Sequence, residues 1–282
     1  FRGRPSPWCV SLACMPNNLI LTYISTEQGS TVTFLLRNPS VFDSDTTIQK
    51  YVQSGSARLI KGDAMNLPDV QAVWAAATKD APVDLLLFPI GGAPGAFHPL
   101  KGFTVETPNL CTASLLNFLC AMPQKPDGTY PKVIALSTSG STVSSRKQVP
   151  LLMKPAYGWM IQGAVRDKLG MERVLAYVAG REWNPIDGEP LEEITGKDWK
   201  NREGLPKEGS VKDSVLLRAA MLTDGECLAD KAVASGKKLP YRTGPEEVGG
   251  YTVSRKDVAH FIVEGILKNW DQWKTKQISI AY

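Results

Sequence analysis

The sequence is poor in histidine and cysteine and has no long apolar run. Its two histidines, His98 and His260, lie far apart, and its five cysteines include no C-x-x-C pair. This scarcity suggests neither a zinc site nor a disulfide framework, and it fits a reducing compartment such as the cytoplasm. An apolar run such as 83–90 is far shorter than the roughly 20 residues that a membrane-spanning helix needs. We therefore expect a soluble, cytoplasmic protein with no membrane partner.

Strong charge of one sign and several enzyme signatures are also absent. The 282 residues carry 32 Lys and Arg against 28 Asp and Glu, which gives a formal net charge of +4. No run of like charges is long enough to mark a nucleic-acid-binding tail, so nucleic acid is not an expected partner. The sequence contains no G-x-S-x-G elbow, no G-x-x-x-x-G-K-[ST] loop and no H-E-x-x-H helix, so the chemistries that use them are not indicated.

What the sequence does contain is an alternation of short apolar runs with longer segments of helical periodicity. The runs are rich in β-branched residues, and several lack polar alternation, as strands covered on both faces do. This alternation predicts an α/β fold built from βαβ units around a parallel sheet. The predicted strands are 8–13, 31–36, 57–60, 83–90, 132–137, 214–218 and 277–281. The predicted helices are 19–28, 45–54, 67–78, 108–122, 164–179 and 255–273.

Two helix starts and one irregular segment complete the predicted organisation. Thr107 followed by Pro108 predicts a helix cap and first turn, and the capping box from Ser254 to Asp257 predicts the start of the last helix. Residues 181–213 are rich in Glu, Lys, Gly, Pro and Trp without a sustained period, which indicates a surface insertion or part of a substrate lid. We expect a single domain over the whole chain.

The glycine turn that binds a dinucleotide pyrophosphate is missing after the first predicted strand. Such a turn brings backbone N–H groups to the phosphates at a helix N-terminus. The three expected glycine positions fall near Leu12, Met15 and Asn18, and only Asn18 tolerates a left-handed backbone. This loop is the strongest argument in the sequence against cofactor binding.

The second predicted strand, 31–36, is followed by Arg37 and Asn38, about 19 residues beyond Asn18. The residue that reads the ribose of a dinucleotide lies roughly 20 residues beyond the glycine turn. An acidic residue there favours NAD, whereas an arginine forks onto a 2′-phosphate and favours NADP. We therefore assign Arg37 and Asn38 to NADP binding; the alternative is an ordinary exposed arginine at a strand end.

Two more loops follow predicted strands and offer cofactor contacts. Asp63, after the third strand, is placed to accept a hydrogen bond from an adenine amino group, or else to cap the next helix. Gly91 and Gly92, after the fourth strand, form a turn that exposes its backbone. This turn either lies along the cofactor or is only a turn.

Hydroxyl groups supply candidates for proton transfer. Ser137 and Ser139 follow the fifth strand, at the carboxyl edge where open α/β folds bind ligands, although Ser- and Gly-rich loops are also commonplace. Tyr157 precedes a helix that carries a lysine, and a phenol beside an ammonium group acts as an acid toward a carbonyl. Four residues after Tyr157 stands Ile161, so this tyrosine lacks the simplest Tyr-x-x-x-Lys spacing.

The lysine of that helix is Lys168, and two interpretations of it stay open. It is a catalytic and cofactor-binding candidate through its ammonium group, or it forms a solvated i,i+4 pair with Glu172. His260 lies in the last predicted helix and is interpreted as a structural residue.

Six segments carry a family resemblance when they are taken in their order and spacing. They are Arg37-Asn-Pro-Ser40, Lys61-Gly-Asp63, Ser137-Thr-Ser-Gly140, 166–172, 218–225 and 254–259. Together they resemble the atypical short-chain dehydrogenase/reductases, and most closely the fungal type of NmrA-like NAD(P)-binding proteins. The resemblance covers about residues 29–282 and departs from the family at the glycine turn and at the Tyr-x-x-x-Lys pair.

This resemblance implies a Rossmann-like doubly wound parallel sheet with a small C-terminal substrate-side region that begins at Arg218. It also implies a place for Lys168 near the nicotinamide ribose of NADP. The implied NADP contacts are Arg37, Asp63, Gly91, Gly92 and Ser137.

Three functional hypotheses follow. The first is an NADP-dependent reductase of a small carbonyl or unsaturated substrate, in which Lys168 holds the ribose and Tyr157 or Ser139 assists proton transfer. The second is a non-catalytic NADP sensor whose occupancy changes its contacts with a protein partner. The third is a degenerate copy that no longer binds the cofactor.

Overall fold

The computed structural model describes residues 9–13, 31–92, 96–98, 102–146, 161–245 and 247–282. The predicted helix 19–28, most of the predicted glycine-turn loop and Tyr157 lie outside the described residues. In the described part, no helix combines the length and the apolar character needed to cross a membrane.

The described strands closely match the apolar runs of the sequence. They are β1 (Cys9–Ala13), β2 (Thr31–Leu36), β3 (Ala57–Lys61), β4 (Leu85–Phe88), β5 (Phe97–His98), β6 (Gly102–Phe103), β7 (Lys132–Thr138), β8 (Ser214–Ala219), β9 (Met221–Thr223), β10 (Arg242–Gly244), β11 (Thr252–Ser254) and β12 (Gln277–Ala281). The predicted strand 83–90 is shorter than expected, because only its four central residues lie in the sheet.

Eight of these strands form one central sheet in the order β3-β2-β1-β4-β7-β8-β12-β10. The pairings between neighbours are parallel except the last, in which β10 runs antiparallel to β12. The chain moves outward in one direction from β1 to β3 and in the other from β4 onward. This order is that of a Rossmann-like doubly wound sheet and confirms the predicted fold class. Ligands of such sheets bind outside the carboxyl ends of the strands, where the order reverses.

The described helices cover both faces of this sheet. They are α1 (Thr46–Gln53), α2 (Leu67–Ala77), α3 (Leu110–Cys120), α4 (Val143–Arg146), α5 (Gln162–Ala179), α6 (Glu192–Thr195), α7 (Leu228–Ala234), α8 (Arg255–His260) and α9 (Trp270–Trp273). Short 3₁₀ turns lie at Pro39–Phe42, Pro185–Asp187 and Trp199–Asn201, and a π-helical segment lies at Phe261–Leu267.

The two faces of the sheet carry separate hydrophobic cores. Strand β4 contributes side chains to both of them, which explains why its sequence is apolar throughout. Leu85 and Leu87 belong to the core under α8 and the π-helical segment. Leu86 and Phe88 belong to the core under α2, α3 and α5. Successive side chains of a strand point to opposite faces, so a strand covered on both sides needs an unbroken apolar run.

The last predicted helix, 255–273, is wrong as a continuous α-helix. Its start is as predicted, because the N–H of Asp257 donates to Ser254 Oγ at 3.0 Å. After His260 the backbone widens into the π-helical segment, where Gly265 lies so close to the Phe261 ring that an added Cβ would be 2.3 Å from a ring carbon. The apolar face is nevertheless buried, since Ile262 is fully covered. The periodicity of apolar residues therefore predicts which face of this segment is buried, but it does not predict the change from α-helix to π-helix.

The predicted Thr107–Pro108 helix start is also wrong, because α3 begins at Leu110. Its N-cap residue, Asn109, makes no side-chain cap. The cap comes instead from α5, where Asp167 accepts hydrogen bonds from the N–H groups of Cys111 at 2.7 Å and Thr112 at 2.9 Å. A carboxylate at a helix N-terminus satisfies otherwise unpaired donors and favours the helix dipole.

Residues 181–213, which the composition predicts to be an irregular insertion, contain two 3₁₀ turns and the short α6. The insertion packs on α3 and α5. Gly170 of α5 lies against Ile194, Gly204 approaches the carbonyl of Cys120, and the rings of Tyr177 and Trp199 are 5.2 Å apart. These contacts cover the two helices that flank the site described below.

Candidate functional site

Two pockets adjoin at the carboxyl edge of the sheet, and both include Gly91. The first, which we call the Arg37 cleft, is lined by Leu35, Arg37, Gly62, Asp63, Ala64, Ile90, Gly91 and Leu110. The second, the Lys168 cavity, has a volume of about 270 Å³. Its lining residues are Gly91, Gly92, Phe103, Val105, Thr107, Pro108, Cys111, Thr138, Ile161, Gly163, Ala164, Val165, Asp167 and Lys168.

The Arg37 cleft brings together three residues that the sequence places at strand ends. Arg37 follows β2, Asp63 follows β3 and Gly91 follows β4. Arg37 is exposed, so its guanidinium group is open to a ligand. Asn38, the other residue predicted beside it, does not line the cleft in the described residues. Its side chain instead accepts from the N–H of Ser40 at 3.2 Å and caps a 3₁₀ turn.

The loop that carries Asp63 is fixed by its own hydrogen bonds. Asp63 accepts from the N–H of Met65 at 2.9 Å, while its own N–H donates to Asp69 at 2.7 Å. The helix-cap alternative for Asp63 is therefore wrong, since the N-cap position of α2 is Asn66. Gly62 is needed here because a Cβ would lie 2.8 Å from both Asp69 and Leu35.

Gly91 and Gly92 leave open space where a side chain would project. Among the described residues, a Cβ at either position would meet no atom within 4 Å, and neither glycine has a positive φ. The backbone conformation therefore does not require glycine at these positions. Gly91 lines both pockets and Gly92 lines the Lys168 cavity, and neither places a side chain in them.

Lys168 is held rigidly at the cavity wall. Its ammonium group donates to the carbonyl of Ile90 at 2.6 Å and to that of Leu136 at 2.8 Å. Ile90 lies two residues beyond β4 and Leu136 lies within β7, and the two strands are neighbours in the sheet. The alternative of a solvated pair between Lys168 and Glu172 is wrong, because Glu172 is fully buried and bonded to other groups.

The helical turn before Lys168 lacks a phenol. The residue four positions earlier is Ala164, which lines the same cavity. Tyr157, the predicted partner of Lys168, lies outside the described residues. In the described part of the cavity, α5 therefore presents an ammonium group without a tyrosine at Tyr-x-x-x-Lys spacing.

Cys111 is a further cavity residue that sequence reasoning did not select. Its thiol donates to the carbonyl of Ile90 at 3.3 Å. Burial raises the pKa of this thiol to about 12, against the opposing effect of the nearby Lys168 ammonium. The group is protonated at neutral pH and is therefore not a nucleophile.

Ser137 belongs to a buried ion pair rather than to the open cavity. Its hydroxyl donates to Glu172, as does that of Ser141 at 2.5 Å, and Arg218 Nη2 bonds the other carboxylate oxygen of Glu172 at 2.6 Å. Burial raises the pKa of Glu172, but the Arg218 guanidinium and the two hydroxyls outweigh it and hold the pKa below its ordinary value. Glu172 is therefore a carboxylate.

Ser139 lies one residue beyond Thr138, which lines the Lys168 cavity. Its N–H donates to the carbonyl of Ala219 at 2.9 Å, so the chain after β7 stays attached to β8. His260 is structural as expected, because its Nδ1 is 2.8 Å from the hydroxyl of Tyr241 in the core.

Comparisons with known proteins agree with this architecture. No protein-family model matches the chain. A curated relative, the reductase pytE of Aspergillus terreus, is 28% identical over 260 residues, which cover 88% of this chain and 87% of the relative.

Two solved structures with the same fold are also reductases by name. The anaerobilin reductase ChuY of Escherichia coli O157:H7 has a TM-score of 0.56 at 19% identity, and the match covers 97% of this chain and 96% of ChuY. An NADPH-bound carbonyl reductase from chicken fatty liver has a TM-score of 0.52 at 10% identity, with 93% and 92% of the chains covered. At these identities the structural likeness shows the fold, which this chain shares with these two reductases.

Proposed function

We propose that this protein is an NADPH-dependent reductase of a small carbonyl or unsaturated substrate, of the atypical short-chain dehydrogenase/reductase type that the NmrA-like resemblance indicates. The observation that carries the proposal is that the two pockets share Gly91 in their linings. The Arg37 cleft offers a cation and a carboxylate, and the Lys168 cavity offers an ammonium group.

The residues along this path fit an NADP dinucleotide. Arg37 would hold the 2′-phosphate and Asp63 the adenine, while the open space beside Gly91 and Gly92 admits the link between the two halves. Lys168 would bind the nicotinamide ribose. When bound, NADPH supplies a hydride to the substrate. The residues of this chain would orient the cofactor. The apolar side chains that line the cavity, such as Phe103 and Val105, would exclude water from it.

The named relatives support the reaction class. The curated relative is a reductase, ChuY is a reductase, and the chicken enzyme is a carbonyl reductase with NADPH bound. The described lining of the Lys168 cavity is mostly apolar, and its carboxylate, Asp167, already caps α3. A small uncharged substrate suits such a surface best.

The test is NADPH oxidation with a panel of small uncharged aldehydes, ketones and conjugated enones, alongside carboxylated analogues of matched size. We expect turnover with uncharged members and weaker turnover with charged ones. Binding of NADPH without turnover of any panel member contradicts a reductase.

A second candidate, a non-catalytic NADP sensor with a protein partner, is favoured by one observation. Ala164 stands where a tyrosine would complete the spacing with Lys168. For a sensor, NADPH binds without oxidation and changes the protein's hydrodynamic or protease-sensitivity profile. A degenerate copy binds neither NADPH nor NADH.

A further inference from the structure

Asn117 is a buried side-chain amide in an otherwise apolar stretch of α3. Its neighbours along the helix, Leu115, Leu116, Phe118 and Leu119, all belong to the hydrophobic core on this face of the sheet. An amide in such a place costs free energy unless its hydrogen bonds are made. A polar residue that interrupts an apolar pattern is therefore expected where it fixes a particular structure or supports a site.

Both ends of this amide are hydrogen-bonded, and they join two segments that are distant in sequence. Asn117 Nδ2 donates to the carbonyl of Ala64 at 2.9 Å, and Asn117 Oδ1 accepts from Nη2 of Arg202. Ala64 lines the Arg37 cleft, whereas Arg202 belongs to the insertion at 181–213. The amide therefore links the insertion, through α3, to a loop of the Arg37 cleft.

The backbone that carries Arg202 is fixed on both sides by packing of the insertion. Before it, the carbonyl of Trp199 accepts from the Arg202 N–H at 3.2 Å, and the Trp199 ring packs on Tyr177 of α5. After it, Gly204 has a left-handed φ of 79° and lies so close to the carbonyl of Cys120 that an added Cβ would collide with the oxygen. The insertion therefore presents the Arg202 guanidinium to α3 from a constrained turn.

The loop at 62–66 is held by α2 on one side and by α3 on the other. On the α2 side, the N–H of Asp63 donates to Asp69 at 2.7 Å, and Asp63 accepts from the N–H of Met65 at 2.9 Å. On the α3 side, Asn117 holds the carbonyl of Ala64, the residue that directly follows Asp63. A loop that is already held in its binding geometry loses less conformational entropy when a ligand binds. The bond from Asn117 therefore favours the binding of a ligand beside Asp63.

We infer that Asn117, held by Arg202 of the insertion, is a positioning residue that fixes the adenine end of the cofactor site. This inference rests on the proposed function, in which Asp63 holds the adenine. The adenine end is common to NADPH and NADH, so Asn117 supports both cofactors alike, whereas Arg37 distinguishes them through the 2′-phosphate. No residue of the insertion is in the described lining of either pocket, so the insertion contributes to cofactor affinity from a distance.

The first test measures hydrogen exchange at the Met65 amide without any cofactor. Asn117→Leu removes the amide with little change in side-chain size, and Arg202→Met removes the donor that holds it. Both variants are expected to exchange faster at Met65 than the wild type. The control is Trp74→Phe, which removes the buried bond from Trp74 Nε1 to the carbonyl of Phe118 at 3.1 Å and is expected to leave exchange at Met65 unchanged. Wild-type exchange at Met65 in either test variant overturns the inference.

The second test measures the Kd of NADPH and of NADH by isothermal titration calorimetry. Asn117→Leu is expected to weaken both cofactors by about three- to tenfold, the effect of one hydrogen bond on an equilibrium. Arg202→Met is expected to weaken both by about two- to threefold, because the amide keeps its bond to Ala64. Trp74→Phe is expected to bind both as the wild type does. Wild-type affinities in the test variants, a loss confined to NADPH, or an equal loss in Trp74→Phe overturns the inference.

The two proposals fail in different ways. If the wild type binds neither NADPH nor NADH, the proposed function and this inference are both refuted. If the wild type binds NADPH and the test variants bind it equally well, only the inference is refuted. Should Asn117→Leu fail to fold, Arg202→Met at its half-buried position decides the inference by the same two measurements.

Discussion

Glu172 shows how one buried carboxylate organises the end of β7. It binds Arg218 and the hydroxyls of Ser137 and Ser141, and it is fully covered. We expect Glu172→Gln to lower the free energy of unfolding by about 3–5 kcal/mol, because it removes the carboxylate that bonds the buried Arg218 guanidinium at 2.6 Å. Urea denaturation measures this loss.

The matched control is Glu264→Gln, at an i,i+4 pair with Lys268 on the surface. Its expected cost is under about 0.5 kcal/mol. Equal losses for the two variants would mean that the buried pair contributes no more than a surface pair.

The positions of single site residues were predictable where the residue directly follows a strand. Arg37, Asp63 and Gly91 each follow an apolar run, and parallel strands bring their carboxyl ends to one edge, so the three meet in one cleft. The partner of Glu172 was not predictable. Arg218 lies 46 residues further along the chain, and no local pattern in the sequence indicates a pairing between this helix and this strand.

At the scale of elements, α3 and α5 are joined by the tertiary cap from Asp167. We expect Asp167→Ala to lower the free energy of unfolding by about 1–3 kcal/mol, because two buried N–H groups lose their acceptor. Hydrogen exchange at Cys111 and Thr112 should accelerate while exchange in the middle of α3 stays slow.

Asp45 provides the comparison, since it caps α1 from within its own segment at a more exposed site. Asp45→Ala is expected to cost about 1 kcal/mol and to affect only the first turn of α1. Unchanged exchange at Cys111 in Asp167→Ala contradicts the cap.

The strands and helices were predictable where the buried positions follow the periodicity of apolar residues in the sequence. The strand 31–36 was predicted with its observed bounds, because its apolar run is covered on both sides. The start of α3 and the widening after His260 were not predictable. The first involves a cap by Asp167 from another helix, and the second lies where Gly265 packs closely against the Phe261 ring.

At the scale of the whole molecule, the doubly wound sheet determines where a ligand binds but not which ligand it is. The reversal of strand order between β1 and β4 puts the candidate site beside the loops after β2, β3, β4 and β7. One fold of this kind carries many functions, so the proposed reaction rests on the side chains at this edge. The alternation of strands and helices predicted the sheet, whereas the shape of the Lys168 cavity arises from long-range packing.

The measurement that tests the central claim most directly is the affinity of the wild type and Arg37→Ala for NADPH and NADH, followed by quenching of tryptophan fluorescence. We predict that Arg37→Ala weakens NADPH binding by about 1.5–3 kcal/mol, the size of a hydrogen bond to a charged group, and leaves NADH binding unchanged. Arg58→Ala, at an arginine bound to Asp80 near the start of β3, should change neither affinity. Equal weakening of NADPH and NADH by Arg37→Ala, or no binding of either by the wild type, would contradict the account.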